Sequence, residues 1–389
     1  MTRILIIGGG VIGSSTAWHL AREGLAADVT VVEPDPSYAL AATPKSTGGV
    51  RVLFSVPENI RMSQYGHEVY GNFGALLAVD GEPAPIDYRK RGYLWMTDDP
   101  VMVRALEDNL KVQHAEGANV LLLGPEEIRA RYPSLEVEDV VLGAFTPDDA
   151  TIDPYSALMG FRRKAISMGV RYLQDRVVGL EVSGHRVDRV RLESGRSLTP
   201  EHVVNAANCW APPLCEQVGM PIPVAPMRRM NFYFECRAPL EDFPLVRHLS
   251  LPGSFRPEGA GYITGISNYH EPRGFNWQVD EALFNDRIWP GLARRVKAFE
   301  SIRLANSWAC HYDQNDLDAN LIIGNWPGRL DNFYLACGLS GHGLQQAPAI
   351  GRALTELIVH GRYQTLDLTR LGYQRVLDNA PLAENGPIA

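Results

Sequence analysis

No apolar run in the chain comes near the roughly 18 residues that a membrane-spanning helix needs. Nor does a charged N-terminal segment lead into a cleavable small-residue site, so a soluble, unprocessed chain is expected. Cysteine is scarce: five residues, at 209, 215, 236, 310 and 337, an odd number without a C-x-x-C pair. That pattern argues against a disulfide framework and a zinc cluster, and it fits a reduced, cytoplasmic protein. No metal site is expected. Lysine is equally scarce, at positions 45, 90, 111, 164 and 297 only. An excess of positive charge is also missing. Against 45 Asp and Glu stand 37 Lys and Arg, and the net charge of -8 would repel a phosphate backbone. The basic runs Arg89-Lys90-Arg91, Arg162-Arg163-Lys164, Arg228-Arg229 and Arg294-Arg295 are short and scattered, and read as solvated faces or local ion pairs. The expected partner is a small molecule rather than nucleic acid or a membrane, and no feature indicates an oligomer.

The chain has 389 residues, 45% of them hydrophobic and 21% charged, enough to bury two lobes rather than one. Its first segment, Arg3-Ile4-Leu5-Ile6-Ile7, is the continuous apolar run of a strand buried on both faces. Gly8-Gly9-Gly10-Val11-Ile12-Gly13 follows at once and opens a helix that Gly24 closes. Gly8 permits a tight turn, Gly10 lets backbone approach a pyrophosphate, and Gly13 lets the helix pack close to the strand. The N–H groups around Val11 and Ile12 then point at the phosphates. A second strand ends in Glu33, about twenty residues past Gly13, where an acid accepts from an adenosine ribose. Strand, turn, helix and acid in this order predict dinucleotide binding.

Further along, Ser46-Thr47-Gly48-Gly49-Val50-Arg51 combines hydroxyls with adjacent glycines, as suits a loop lying flat against a large planar ligand. The apolar strand at 201–205 enters small residues through Ala206 to Trp210, again suited to backbone packed against a flat ligand. Near the end, strand Asn332–Cys337 leads through Gly338-Leu339-Ser340-Gly341-His342-Gly343 into a helix. With pyrophosphate already provided for, this second positive helix end is free to face another electron-rich group, such as the edge of a flavin.

Together GGGVIG with Glu33, STGG at 46–49, VVNAANCWA at 203–211 and GLSGHGLQQAPAIGRAL at 338–354 resemble the D-amino-acid-oxidase (DAO) superfamily, which contains glycine and sarcosine oxidases. The resemblance covers nearly the whole chain. It implies an α/β (α+β overall) fold: a Rossmann-like FAD-binding domain of the glutathione-reductase/p-hydroxybenzoate-hydroxylase type, interleaved with a β-sheet substrate domain. The expected FAD-binding domain is residues 1–80, 145–222 and 320–365; the substrate domain is 81–144 and 223–319, with a tail at 366–389. The implied reaction is FAD-dependent oxidation of an amino acid or secondary amine to an imine, with oxygen or another electron acceptor. A mitochondrial branch linked to respiratory complex assembly is similar through SGHGLQQAP and WPGLARRVKAFE, and it implies the alternative, a flavin-binding assembly protein without amine oxidation.

In that frame Gly8, Gly10, Val11, Ile12, Gly13 and Glu33 hold the ADP half, and Val177 contacts the adenine side. Ser46, Thr47, Gly48, Gly49, Ala206 and Trp210 lie along the cofactor, while Gly341, His342, Gly343, Leu344 and Gln345 surround the flavin's pyrimidine edge. Cys310 stands where some relatives tether FAD through a thioether and others carry glycine; a buried, unreactive thiol is the favoured alternative. Arg51, His311, Tyr312 and His342 are the catalytic candidates, with Arg51 or Arg256 anchoring a carboxylate. The chain departs from the sarcosine-oxidase pattern in two places. Gln345 replaces a substrate-binding lysine, and no lysine stands at Tyr262-Ile263-Thr264, where another is credited with activating oxygen.

Overall fold

A computed structural model describes residues 3–266 and 270–386. The outer ends of the expected 1–80 and 366–389 segments, and three residues of the 223–319 segment, lie outside the described residues. Two sheets organise the chain. The first has six strands in the order Ile322–Trp326, Leu330–Cys337, His202–Asn205, Ile4–Ile7, Val29–Glu33 and Arg171–Gln174. Its pairings are parallel except that between Ile322–Trp326 and Leu330–Cys337. Ile4 and Ile6 enter one core and Leu5 and Ile7 another, which is why the strand is apolar at every position.

Helices Val11–Arg22 and Gly343–His360 cover the same face of this sheet. They meet closely because Gly351 has no side chain; a Cβ there would run into Ser15. Pro348 sits inside the second helix and cannot donate to the carbonyl of Leu344, four residues back. The Tyr70 hydroxyl donates to that carbonyl instead, at 2.6 Å, so the helix continues past the proline.

The second sheet has eight strands: Ile302–Asn315, Val224–Cys236, Gly261–Gly265, Ser254–Glu258, Leu245–His248, Tyr93–Thr97, Leu142–Thr146 and Leu121–Leu123, in spatial order. Only Leu245–His248 and Tyr93–Thr97 run parallel. A core of aromatic residues, among them Phe232, Phe234, Phe243, Phe255 and Phe299, packs against it. The fold is therefore a mixed α/β arrangement, Rossmann-like where the nucleotide fingerprint lies and interleaved with a large β-sheet lobe. No helix among the described residues is long and apolar enough to cross a membrane.

Candidate active site

The glycine fingerprint opens a cleft. Gly8 has φ +94°, and a Cβ on it would lie 2.7 Å from the carbonyl oxygen of Ala206, so this turn and the 206–210 segment touch backbone to backbone. A Cβ on Gly13 would collide with the Gly8 carbonyl oxygen, whereas one on Gly10 would meet nothing within 4 Å. The helix starting at Val11 has no side-chain cap, leaving its first N–H groups facing the cleft. Glu33 accepts from the Gly9 N–H at 2.8 Å and from the Asp35 N–H at 2.9 Å, which fixes the carboxylate beside the turn. The cleft measures about 510 Å³ and is lined by Gly8, Gly10, Val11, Ile12, Glu33, Val177, Ala206 and Trp210 at the fingerprint, and by Ser46, Tyr312, Gly341, Gly343 and Leu344 beyond it.

A second cavity, about 340 Å³, is lined by Thr47, Gly48, Gly49, Arg51, His342 and Gln345 together with Tyr93, Trp95, Arg229, Arg247 and Arg287. The two spaces share Ser46, Tyr312, Gly341 and Leu344. At this neck a positive helix end, that of Gly343–His360, faces both.

The sequence matches the family described as FAD dependent oxidoreductase over residues 3–357. The chain belongs to that family. It is 36% identical to the FAD-dependent oxidoreductase domain-containing protein 1 of Xenopus laevis, over 98% of this chain and 84% of that one. The L-proline dehydrogenase of P. horikoshii has the same fold, with a TM-score of 0.87 at 24% identity over 97% of this chain and 98% of that one. The sarcosine dehydrogenase of Mus musculus, named as mitochondrial, is 24% identical over 92% of this chain and 40% of its own length. The sarcosine and dimethylglycine dehydrogenases of Mus musculus and Homo sapiens are all named as mitochondrial, which overturns the expected cytoplasmic address. The physical reason is plain: an odd set of free thiols reports a reduced state, and a reduced state does not specify a compartment.

The cofactor of this family member is FAD, and the cleft fits it. The uncapped helix end and the open side of Gly10 would receive a pyrophosphate, the fixed Glu33 carboxylate would receive ribose hydroxyls, and the shared neck would receive a flat ring system. The loop at 45–49, beside the neck, is positioned by the second sheet. Arg256 donates to the Thr47 carbonyl at 2.7 Å and pairs with Glu258, so its guanidinium holds the loop and lines neither cavity. Asn231 and Trp308 both donate to the Lys45 carbonyl at 2.9 Å.

Arg51 lies over the rings of Phe54, at 4.0 Å, and Trp95, at 4.9 Å, and donates to the Leu53 carbonyl. Its guanidinium approaches His342 Nε2 at 3.4 Å, and the backbone N–H of Arg51 donates to Gln345 Oε1 at 2.9 Å. Burial and the adjacent Arg51 charge push the His342 pKa well down, so the imidazole is neutral. Tyr312 and His311 separate, because neighbours on a strand point to opposite faces. Tyr312 packs against Gly341 under Arg229 and borders both cavities. His311 borders the larger cleft only, beside Phe275 and Trp277, with Nε2 accepting from the Asn276 N–H at 2.9 Å. Cys310 lines neither cavity, and burial pushes its thiol up to about 11.

Two features escaped the sequence reading. Arg228 and Arg229 read as a solvated face or a local ion pair; Arg228 does pair with Glu271 at 2.5 Å, but Arg229 points the other way, is 6% exposed and lines the second cavity, and strand alternation was the signal. Asp313 is buried and accepts from the N–H groups of Gly338 and Leu339 at 2.8 and 3.0 Å, which pins the glycine turn ahead of the second helix. No sequence motif marked it.

Proposed function

We propose that this chain oxidises an amino acid or N-alkyl amino acid whose carboxylate lies in the second cavity against Arg51 and Arg229. The reaction is FAD-dependent oxidation of a carbon–nitrogen bond to an imine that water hydrolyses, with oxygen or another electron acceptor. The chemistry that FAD supplies when bound is acceptance of the hydride equivalent from the carbon beside nitrogen. The chain's own residues bind and orient. Buried guanidinium groups hold the carboxylate, Tyr312 and Gly341 form the floor between the two cavities, and neutral His342 positions Arg51 without adding charge. The observation that carries this reading is the second cavity itself: it adjoins the nucleotide cleft through four shared residues and is lined by arginine.

In the same reading FAD is held without a covalent bond, because a thiol that stays protonated to about pH 11 outside both cavities is a poor nucleophile. The cofactor-binding segments are 1–80, 145–222 and 320–365, which carry the six-stranded sheet.

The test is anaerobic mixing of the yellow protein with a panel of D-, L-, cyclic and N-methyl amino acids. Bleaching by at least one carboxylate-bearing amine is expected, and Arg51→Gln raises its KM at least tenfold. Bleaching by decarboxylated amines at the same KM, or an unchanged KM in the variant, removes the anchoring role. A protein that no amine bleaches is instead a flavin-binding assembly protein.

A further inference from the structure

We infer that Glu384, in the C-terminal tail, is a positioning residue for Arg51: it fixes the segment from which Arg51 reaches the second cavity, and so sets how tightly that cavity holds a carboxylate. The inference rests on the carboxylate-anchoring reading above. It adds to that reading a residue that lines neither cavity.

Residues 51–56 join the short strand Gly49–Val50 to helix Pro57–Gly71 and belong to neither. Backbone N–H and C=O groups in such a stretch need partners other than a ladder. Side chains from distant parts of the chain supply them. Gln345 accepts from the Arg51 N–H at 2.9 Å and Asp149 from the Val52 N–H at 3.0 Å, while Gln113 donates to the Phe54 carbonyl at 3.0 Å. Glu384 takes the far end. Its Oε2 accepts from the Ser55 N–H and hydroxyl, both at 2.5 Å, and from the Val56 N–H at 3.1 Å; its Oε1 accepts from the Asn59 side-chain amide at 2.6 Å. An ionised carboxylate is all acceptor and can take four donors, and its charge is favoured at the N-terminus of helix Pro57–Gly71.

Two circuits of hydrogen bonds close on Glu384. In one, the next residue, Asn385, exchanges bonds of 2.9 and 3.1 Å with Asn109 on helix Pro100–Ala115, and Gln113 of that same helix holds the Phe54 carbonyl. In the other, Asn59 accepts from Gln346 at 3.1 Å, and Gln346 is the neighbour of Gln345, which holds the Arg51 N–H. The tail is itself pinned just upstream: the Leu382 N–H donates to Asp318 at 2.9 Å and its carbonyl accepts from Asn320 at 2.6 Å. Phe54 carries the effect to the site. Its ring lies under the Arg51 guanidinium at 4.0 Å and meets His342 edge-on at 5.0 Å, so slack at Ser55 and Val56 passes through that ring to Arg51.

The experiment compares the FAD-loaded protein with Glu384→Ala and Glu384→Gln, well below the unfolding temperature of each. With the amino acid that best bleaches the flavin, Glu384→Ala is expected to raise KM at least fivefold while kcat and FAD affinity stay within twofold. Glu384→Gln falls between, because its carbonyl oxygen still accepts from Ser55 and Val56. In an Arg51→Gln background the same Glu384→Ala change adds less than twofold, as expected of a residue acting through Arg51. Hydrogen exchange read by mass spectrometry gives a measurement independent of turnover: the amides of Arg51 and Val52, which Glu384 does not touch, are expected to exchange at least tenfold faster in Glu384→Ala. A helix cap and nothing more would speed exchange at 55–60 alone and leave KM unchanged, and either result overturns the proposal, as does a rise in KM that persists in full beside Arg51→Gln. If Glu384→Ala does not fold, Glu384→Gln decides by the same measurements. If no amino acid bleaches the flavin, the amine-oxidation reading falls, and exchange at Arg51 and Val52 alone decides whether Glu384 positions them.

Discussion

Gly341 is the residue on which the site's geometry turns most sharply. Its φ of +99° is one that side chains rarely adopt, and a Cβ would enter the Tyr312 ring. Tyr312 in turn lies under the Arg229 guanidinium, so one added methyl group would push a ring and a buried charge together. Gly341→Ala is expected to cost about 1–3 kcal/mol in stability through backbone strain and overpacking. It is also expected to weaken FAD binding at least tenfold. Urea unfolding and fluorescence titration with FAD measure the two effects separately. A folded variant with unchanged FAD affinity would place the flavin away from this turn.

At the scale of elements, what holds the loop at 45–49 is a second sheet rather than the loop's own sequence. Arg256, on strand Ser254–Glu258, reaches across to the Thr47 carbonyl, and Asn231 and Trp308 on two further strands take the Lys45 carbonyl. A hydrogen bond from a charged donor contributes about 1.5–3 kcal/mol. Arg256→Met is therefore expected to weaken FAD binding by about tenfold or more while leaving the order of preference among amino acids unchanged, as read by FAD titration and by competing substrates. These elements also explain what the sequence could and could not reveal. The fingerprint at 8–13 with Glu33 was readable because strand, turn and helix follow one another within a single unit. The second glycine turn was readable for the same reason. The arginine cavity was not, since positions 51, 229, 247 and 287 come together only when the eight-stranded sheet forms. Within that sheet, alternation separates Arg228 from Arg229 and His311 from Tyr312, pairs that look equivalent in the chain.

For the molecule as a whole, response to acid is set by buried groups that oppose one another. Burial pushes His19 down to about 3 and His248 to about 4, from an ordinary value of 6.5. A histidine of this kind is neutral in the native state, so the unfolded chain takes up a proton first as pH falls. Its contribution to stability is complete above about pH 6.5 and is lost progressively towards its folded pKa. Asp313 runs the other way: burial raises it to about 6 from 3.8, so the native state holds a proton longer and stability rises as pH falls through that window. The overall acid profile therefore mixes both signs, and a single-residue difference isolates one of them. His19 lies in helix Val11–Arg22, and its Nδ1 donates to the Ser15 carbonyl at 2.9 Å, a bond that glutamine can replace. His19→Gln is expected to be less stable than the natural chain at pH 7.5. Between about pH 6 and 4 the gap should close by about 1.4 kcal/mol per pH unit, because the variant has no proton to gain there on unfolding. Urea midpoints at pH 7.5, 6 and 5 test this, and a gap that does not change with pH would mean that His19 keeps its ordinary pKa inside the fold.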